Sequence, residues 1–174
     1  FLTDNDTPSV DTMIRWSQEV VAFIKAYHDR HFRWLDTFAS YPSGHLGLVA
    51  SDGALEYYDG RMRAIDAQGN ITLNDIHNNN YLKYFGEGVE KWSYMKFPFF
   101  RSMGNSDDGW YRVGPLARVN NCDFIPTPLA DKERKDFMAF DNGSTTGSTL
   151  AYHWARMIEM LHAAEAIKDL LHDD

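Results

Sequence analysis

Cysteine is almost absent from this sequence, because its 174 residues contain a single one, Cys122. One thiol excludes a disulfide within the chain and any metal site built only from its own thiolates. A lone thiol is typical of a protein from a reducing compartment. Long hydrophobic runs are missing as well, since no stretch approaches the roughly 18 apolar residues that a membrane span requires. We therefore expect no membrane span.

Basic residues are also scarce: 17 lysines and arginines stand against 25 aspartates and glutamates, which gives a net charge of −8. Proteins that bind nucleic acid or an anionic membrane present a basic face, so this balance argues against both partners. Apolar and aromatic side chains, by contrast, make up 44% and 14% of the residues. A chain of this size and composition can bury a substantial core, and we expect residues 1–174 to form a single domain.

The two ends of the sequence indicate an excerpt. The chain starts at Phe1 without an initiator methionine, and no secretory signal peptide follows. It stops at His172-Asp173-Asp174, directly behind a strong helical pattern and without the Gly or Pro that commonly ends a helix. We expect the chain to be a segment from the middle of a longer protein.

Two long amphipathic patterns predict helices near the two ends. Thr7-Pro8-Ser9 supplies a capping hydroxyl and a proline at the first helical position, and apolar residues then recur at helical spacing as far as Phe38. A second, wider apolar stripe follows Thr149. The sequence thus predicts helices over about 8–39 and 149–171, which must pack along other helices to bury these stripes.

Residues 45–75 change to short β-prone runs, separated by turn residues such as Ser51-Asp52-Gly53 and Gln68-Gly69-Asn70. Closely spaced sequential strands leave no room for crossover helices, so these runs predict a small antiparallel β element. Taken together, the patterns predict an α+β fold that is predominantly helical. We expect a bundle of long helices with the β element attached.

Seven histidines raise the question of a metal site. His28 and His31 lie three residues apart on the first helix, and at that spacing both rings can face one ion. We favour the alternative that both are packing or interface residues, with His31 on the apolar stripe and His28 at its margin. Two further histidines project to opposite sides of the last helix: His153 and His162. His45 and His77 have no further histidine or cysteine close to them in sequence that could act as a second metal ligand.

The remaining candidates for chemistry are isolated in sequence. Cys122 lacks a nearby histidine or second cysteine, so a small buried hydrophobe is favoured over a nucleophile or a ligand. Asp107-Asp108 lies in a loop rich in glycine, asparagine and serine, as expected for a solvated turn. Glu165 falls on the wide apolar face of the last helix and is a candidate for a buried or interface carboxylate. No phosphate-binding, dinucleotide-binding or nucleophile-elbow motif occurs, so the residues themselves define no reactive site.

The segment 109–131 (GWYRVGPLARVNNCDFIPTPLAD) fits neither a regular helix nor a regular strand. We interpret it as a constrained connector, in which Gly114-Pro115 and Pro126-Thr127-Pro128 fix turns. Arg112 and Arg118 are expected to hold carboxylates or a neighbouring subunit rather than a substrate.

Five strings, read in order, resemble one family of proteins. They are YYDGRMRAID (57–66), EKWSYMKFPF (90–99), YRVGPLARVN (111–120), PTPLA (126–130) and WARMIEMLHAAEAIKDLLHD (154–173). Together they are similar to the large, catalytic subunit of nickel–iron hydrogenases, in its soluble cytoplasmic, NAD-linked branch. The resemblance reaches from about residue 10 to the end, and it implies that the chain is the central segment of such a subunit.

The resemblance implies a nickel–iron centre held by thiolates from two Cys-x-x-Cys pairs, one near each end of the subunit. Neither pair is present in this sequence. The resemblance therefore carries no catalytic, cofactor-binding or metal residue onto any position of this chain, and Cys122 matches none of the ligand positions. The parent is expected to be an oxidoreductase, whereas this segment alone is not expected to be catalytic or to hold a cofactor.

The resemblance further implies a parent that oxidises hydrogen reversibly in the cytoplasm. Electrons would pass through an iron–sulfur small subunit toward NAD, with NAD-reducing diaphorase subunits as further partners. The segment itself would be a scaffold and a subunit-contact surface, made rigid by aromatic and methionine packing: Trp92, Tyr94, Phe97, Phe99, Trp110, Trp154 and Met157. Two alternatives remain, namely a stand-alone assembly or binding module and a metal-free relative of a respiratory-complex subunit.

Overall fold

The computed structural model describes residues 4–31, 39–140 and 145–171. The described residues fall into two compact units. The helical unit comprises the described parts of 1–40, 124–143 and 148–174, and the sheet unit comprises those of 41–123 and 144–147. No helix in the described ranges is both long and apolar enough to cross a membrane.

Five α-helices and seven strands make up the regular structure of these ranges. The helices are α1 (Thr7–His31), α2 (Tyr81–Tyr84), α3 (Pro115–Asn121), α4 (Pro128–Phe140) and α5 (Ala151–Leu171). The strands are β1 (Gly44–Val49), β2 (Leu55–Glu56), β3 (Arg61–Ile65), β4 (Ile71–Ile76), β5 (Phe85–Val89), β6 (Lys96–Phe100) and β7 (Tyr111–Arg112). Short 3-10 turns precede α1 and α2, at Asp4–Asp6 and Asn78–Asn80.

The helical unit is built from α1, α4 and α5. Trp154 of α5 is buried at its centre, where its ring lies 5.1 Å from that of Phe137 and 6.0 Å from that of Phe140, both on α4. The ring of His28, from α1, lies 5.7 Å from that of Trp154. Large aromatic side chains bury much area in such edge-to-face contacts, so this cluster holds the three helices together.

The sheet unit contains a five-stranded sheet and a two-stranded hairpin. In the larger sheet, β2, β1, β3 and β4 are neighbours in that order and run antiparallel, while β7 pairs with β1 in parallel. Strands β5 and β6 form the hairpin. Phe85 and Phe100 of the hairpin pack with Ala64 of β3 to form a buried core, and the Tyr111 ring of β7 stacks 4.5 Å from that of Phe100.

Helix α3 packs against β1, and its Leu116, Ala117 and Val119 are fully buried. Its close approach depends on Gly47 of β1, because a Cβ there would lie 3.1 Å from Asn121 Nδ2 and 3.4 Å from the Cα of Arg118. A connector was predicted over this segment, and that prediction misses the helix. The missed signal is Pro115 at the first helical position behind Gly114, whose φ of 83° suits glycine.

The prediction of a predominantly helical bundle is wrong. The described residues are 48% helical and 22% strand, so the fold is α+β without the expected bundle of long helices. The described part of the first helix ends at His31, and residues 32–38 of the predicted 8–39 helix lie outside the described residues. The sequence analysis predicted too few strands, because it confined the β element to residues 45–75. The aromatic-rich runs after residue 84 form three more strands, β5, β6 and β7.

The aromatic side chains expected to make the segment rigid do not all pack inside. Trp154 is buried, but Trp92 and Tyr94 are 73% and 98% exposed. Both lie in the connection between β5 and β6, beyond the paired residues of the hairpin. Hydrophobic composition gave no way to tell a core aromatic residue from one at a hairpin tip.

Candidate functional site

The most unusual polar arrangement of the sheet unit lies where β1 meets β7. The parallel register places His45 of β1 opposite Arg112 of β7. Ser43 immediately precedes β1 and lines a cleft together with Arg112. These three side chains are all buried. The pairing of two strands that are distant in sequence thus brings together an imidazole, a guanidinium and a hydroxyl.

Arg112 is 7% exposed, and its hydrogen bonds are incomplete within the described part of the chain. One guanidinium nitrogen, Nη1, donates to the carbonyl of Gly147, and the guanidinium lies 4.1 Å above the ring of Tyr41. The other, Nη2, has no hydrogen-bond partner among the described residues. A buried guanidinium normally has its donors satisfied. Arg112 Nη2 is therefore a buried donor without a described acceptor. Arg112 was expected to hold a carboxylate or a neighbouring subunit; no described carboxylate accepts a hydrogen bond from it, and contact with a neighbouring subunit stays a prediction.

His45 is held neutral beside this cation. Burial lowers the pKa of its imidazole to about 4, and the positive charge of Arg112 acts in the same direction. At neutral pH the ring is uncharged, which removes a second positive charge from the cluster. Neither His45 Nδ1 nor Ser43 Oγ has a hydrogen-bond partner in the ranges that the structure describes. Ser43 is therefore not activated by this histidine, and the geometry is that of a hydrogen-bonding pocket and not of a nucleophile with its base.

A cleft of about 510 Å³ opens beside Arg112 and Ser43, and its wall also includes Tyr41, Trp110 and Asp108. A neighbouring cleft of about 470 Å³ shares Ser43 and Asp108 and reaches Asp66. Burial raises the pKa of the Asp66 carboxyl, but hydrogen bonds from Asn70, Gln68 and Gly69 together bring that pKa below its usual value. The clefts thus combine one buried cation with partly or fully exposed carboxylates, so they carry no strong charge of one sign.

A second polar group, buried except for Asp123, fixes α3 to the sheet; we call it the α3 clamp (Arg63, Asn120, Asn121, Asp123 and Thr146). Asn121 Nδ2 donates to the Arg63 carbonyl at 2.7 Å, and Arg63 Nη1 donates to Asp123 Oδ1 at 2.9 Å. Asn120 bonds both backbone groups of Thr146. Sequence reasoning missed this group, although two adjacent asparagines at a helix end are a usable signal.

In the helical unit, Glu165 of α5 is buried and caps the start of α4. Its two carboxylate oxygens accept hydrogen bonds from the backbone N–H groups of Leu129 and Ala130, at 3.0 and 2.9 Å. Nearby, His162 Nδ1 lies 2.9 Å from Thr127 Oγ1. The sequence singled out Glu165 as a possible buried carboxylate, and the structure confirms its burial. Its role here is to satisfy the first N–H groups of a helix.

The structure separates the histidines that the sequence paired. His28 is buried, with its ring 4.4 Å from that of Phe140, whereas His31 is exposed beside Tyr27. The expected placement of His31 on the packed stripe and His28 at its margin is thus reversed. His153 is exposed and His162 is buried, which confirms that they project to different sides of α5.

Cys122 is 2% exposed, and its Sγ lies 3.7 Å from the Val119 carbonyl. The prediction of a small buried side chain is confirmed. Within the described ranges, no three His, Cys, Asp or Glu residues form a group that could hold a metal ion. The single buried thiol of this chain cannot supply the paired thiolates that a nickel–iron centre requires. That its ligands lie outside this segment stays a prediction.

Comparison with known proteins places the chain near hydrogenase subunits, although no protein-family model matches it. Over 165 residues, 95% of the chain, it is 42% identical to the NAD-reducing hydrogenase HoxS subunit beta of Cupriavidus necator. Over 164 residues it is 36% identical to a vhu subunit of the F420-non-reducing hydrogenase of Methanococcus voltae. The fold matches a chain in the crystal structure of an NAD+-reducing [NiFe]-hydrogenase in the H2-reduced state, with a TM-score of 0.89 and 40% identity.

The fold match covers 99% of this chain but 39% of that one, and the chain spans 33% and 38% of the two sequence relatives. It is therefore related in sequence and fold to part of a hydrogenase subunit. The assignment to a large, catalytic subunit is corrected by these comparisons: the relatives are a HoxS subunit beta and a vhu subunit, and neither name designates a large or catalytic subunit. The five matching strings contain no paired cysteines, so they indicate hydrogenases without fixing the role of the subunit.

Proposed function

We propose that this chain is a structural segment of a subunit of an NAD-reducing hydrogenase. The observation that carries the proposal is the fold match over 99% of the chain, at a TM-score of 0.89 and 40% identity, to a chain of such an enzyme. An agreement that extends over both compact units exceeds what a shared local motif produces. The complex would take up hydrogen reversibly and transfer its electrons to NAD.

The choice of NAD as acceptor rests on the relative of higher identity, at 42% against 36% for the F420-non-reducing relative. Partners would then include NAD-reducing diaphorase subunits together with an iron–sulfur subunit, in the cytoplasm. A different electron acceptor is the second candidate, because the F420-non-reducing relative matches nearly the same length, 164 residues.

Within such a subunit, this segment would be a scaffold. The α3 clamp ties a helix to the five-stranded sheet through buried hydrogen bonds, and Glu165 ties α5 to α4. Hydrogen bonds among buried polar groups favour one arrangement over its alternatives. Units that are each internally rigid can support the parts of a longer chain that pack on them, as a redox centre and its partners need.

The test is to tag the full-length subunit that contains residues 1–174 and to identify by mass spectrometry the proteins that purify with it. We expect iron–sulfur and NAD-reducing subunits. In the same cells, Asn121→Ala should reduce the amount of assembled complex, because it leaves the Arg63 carbonyl without its 2.7 Å donor. The exposed Gln18→Ala is the matched control. Recovery of the chain without redox partners would contradict the proposal.

A further inference from the structure

We draw no further inference here: the strongest candidate, the exposed aromatic patch at the tip of the β5–β6 hairpin (Trp92, Tyr94 and Met95), belongs to a chain that spans 39% of the matched hydrogenase chain, and nothing in the structure shows what covers it.

Discussion

Glu165 of α5 and Ala130 of α4 are joined by a hydrogen bond of 2.9 Å, in which a carboxylate oxygen accepts from a backbone N–H. The contact is buried and 35 residues separate the partners. The first N–H groups of a helix have no partner within the helix. A side chain of one helix thus completes the start of another, and the two helices become part of the same packed unit.

Glu165→Ala should lower the free energy of unfolding by about 1–3 kcal/mol, because two buried N–H groups lose their acceptor. Glu165→Gln should lower it less, since the amide retains one acceptor oxygen. The exposed Asp169→Ala on the same helix serves as the control. Urea unfolding followed by circular dichroism measures all three, and equal stabilities for Glu165→Ala and Asp169→Ala would refute the capping role.

Gly53→Ala should destabilise the sheet unit more than Gly104→Ala. Both glycines have positive φ, 90° and 80°, so both substitutions carry a backbone strain of about 1–2 kcal/mol. At residue 53, however, a Cβ would collide with the carboxylate of Asp123, whereas at residue 104 no atom of the described residues lies within 4 Å. Differential scanning calorimetry should therefore show the larger loss of Tm for Gly53→Ala.

The same collision predicts a specific rescue. Asp123→Ala removes the carboxylate and should therefore abolish the additional loss of Tm that Gly53→Ala causes. The same substitution also breaks the Arg63–Asp123 ion pair of the α3 clamp. The loss of Tm in the double variant should then be smaller than the sum of the losses in the two single variants. Simple additivity of the two losses would mean that the carboxylate is not what opposes a side chain at residue 53.

His45 should make the folded state sensitive to acid. Burial, helped by Arg112, lowers its pKa from 6.5 to about 4. The unfolded chain therefore binds a proton at this residue at a higher pH than the folded chain does, and stability falls as pH drops below about 6.5. The full effect, reached below pH 4, is about 3 kcal/mol. Urea titrations at several pH values should show a shallower fall for His45→Gln, and parallel curves would contradict the neutral state of His45.

Trp154→Ala should lower the free energy of unfolding by about 3–5 kcal/mol, the range for truncating a buried aromatic side chain. Trp154 is 4% exposed and packs against rings from α1 and α4. Trp92→Ala is the matched control, because the same side chain is 73% exposed there, and it should change stability by less than about 0.5 kcal/mol. A loss below about 1 kcal/mol at residue 154 would contradict the described core.

Local signals in the sequence predicted the ends of the molecule better than its middle. The cap at Thr7-Pro8 and the apolar stripe after Thr149 predicted helices that begin close to α1 and α5. Residues 109–131 were misread because α3 has seven residues, too few for a recognisable period, and its stability comes from packing on β1. Parallel pairing of β7 with β1 joins residues more than 60 apart, which no local pattern encodes.

The polar groups of the candidate site could not be predicted for the same reason: their members are distant in sequence. Arg112 was singled out, but its neighbour His45 was set aside because nothing near it in sequence is a partner. The two meet only through the β1–β7 register. Arg63 was not considered, since an arginine in a β-prone run reads as solvent-exposed, whereas its bonds to Asp123 and Asn74 allow it to be buried.

The measurement that most directly tests the central claim is the rate of NADH formation under hydrogen by the purified complex that contains the full-length subunit. We predict NADH formation that requires hydrogen and stops under argon. The matched complex carrying Asn121→Ala should form NADH in proportion to its reduced yield of assembled protein. Hydrogen uptake with an artificial dye but not with NAD would assign the chain to a hydrogenase with another acceptor. No hydrogen-dependent reduction of either acceptor would contradict the account.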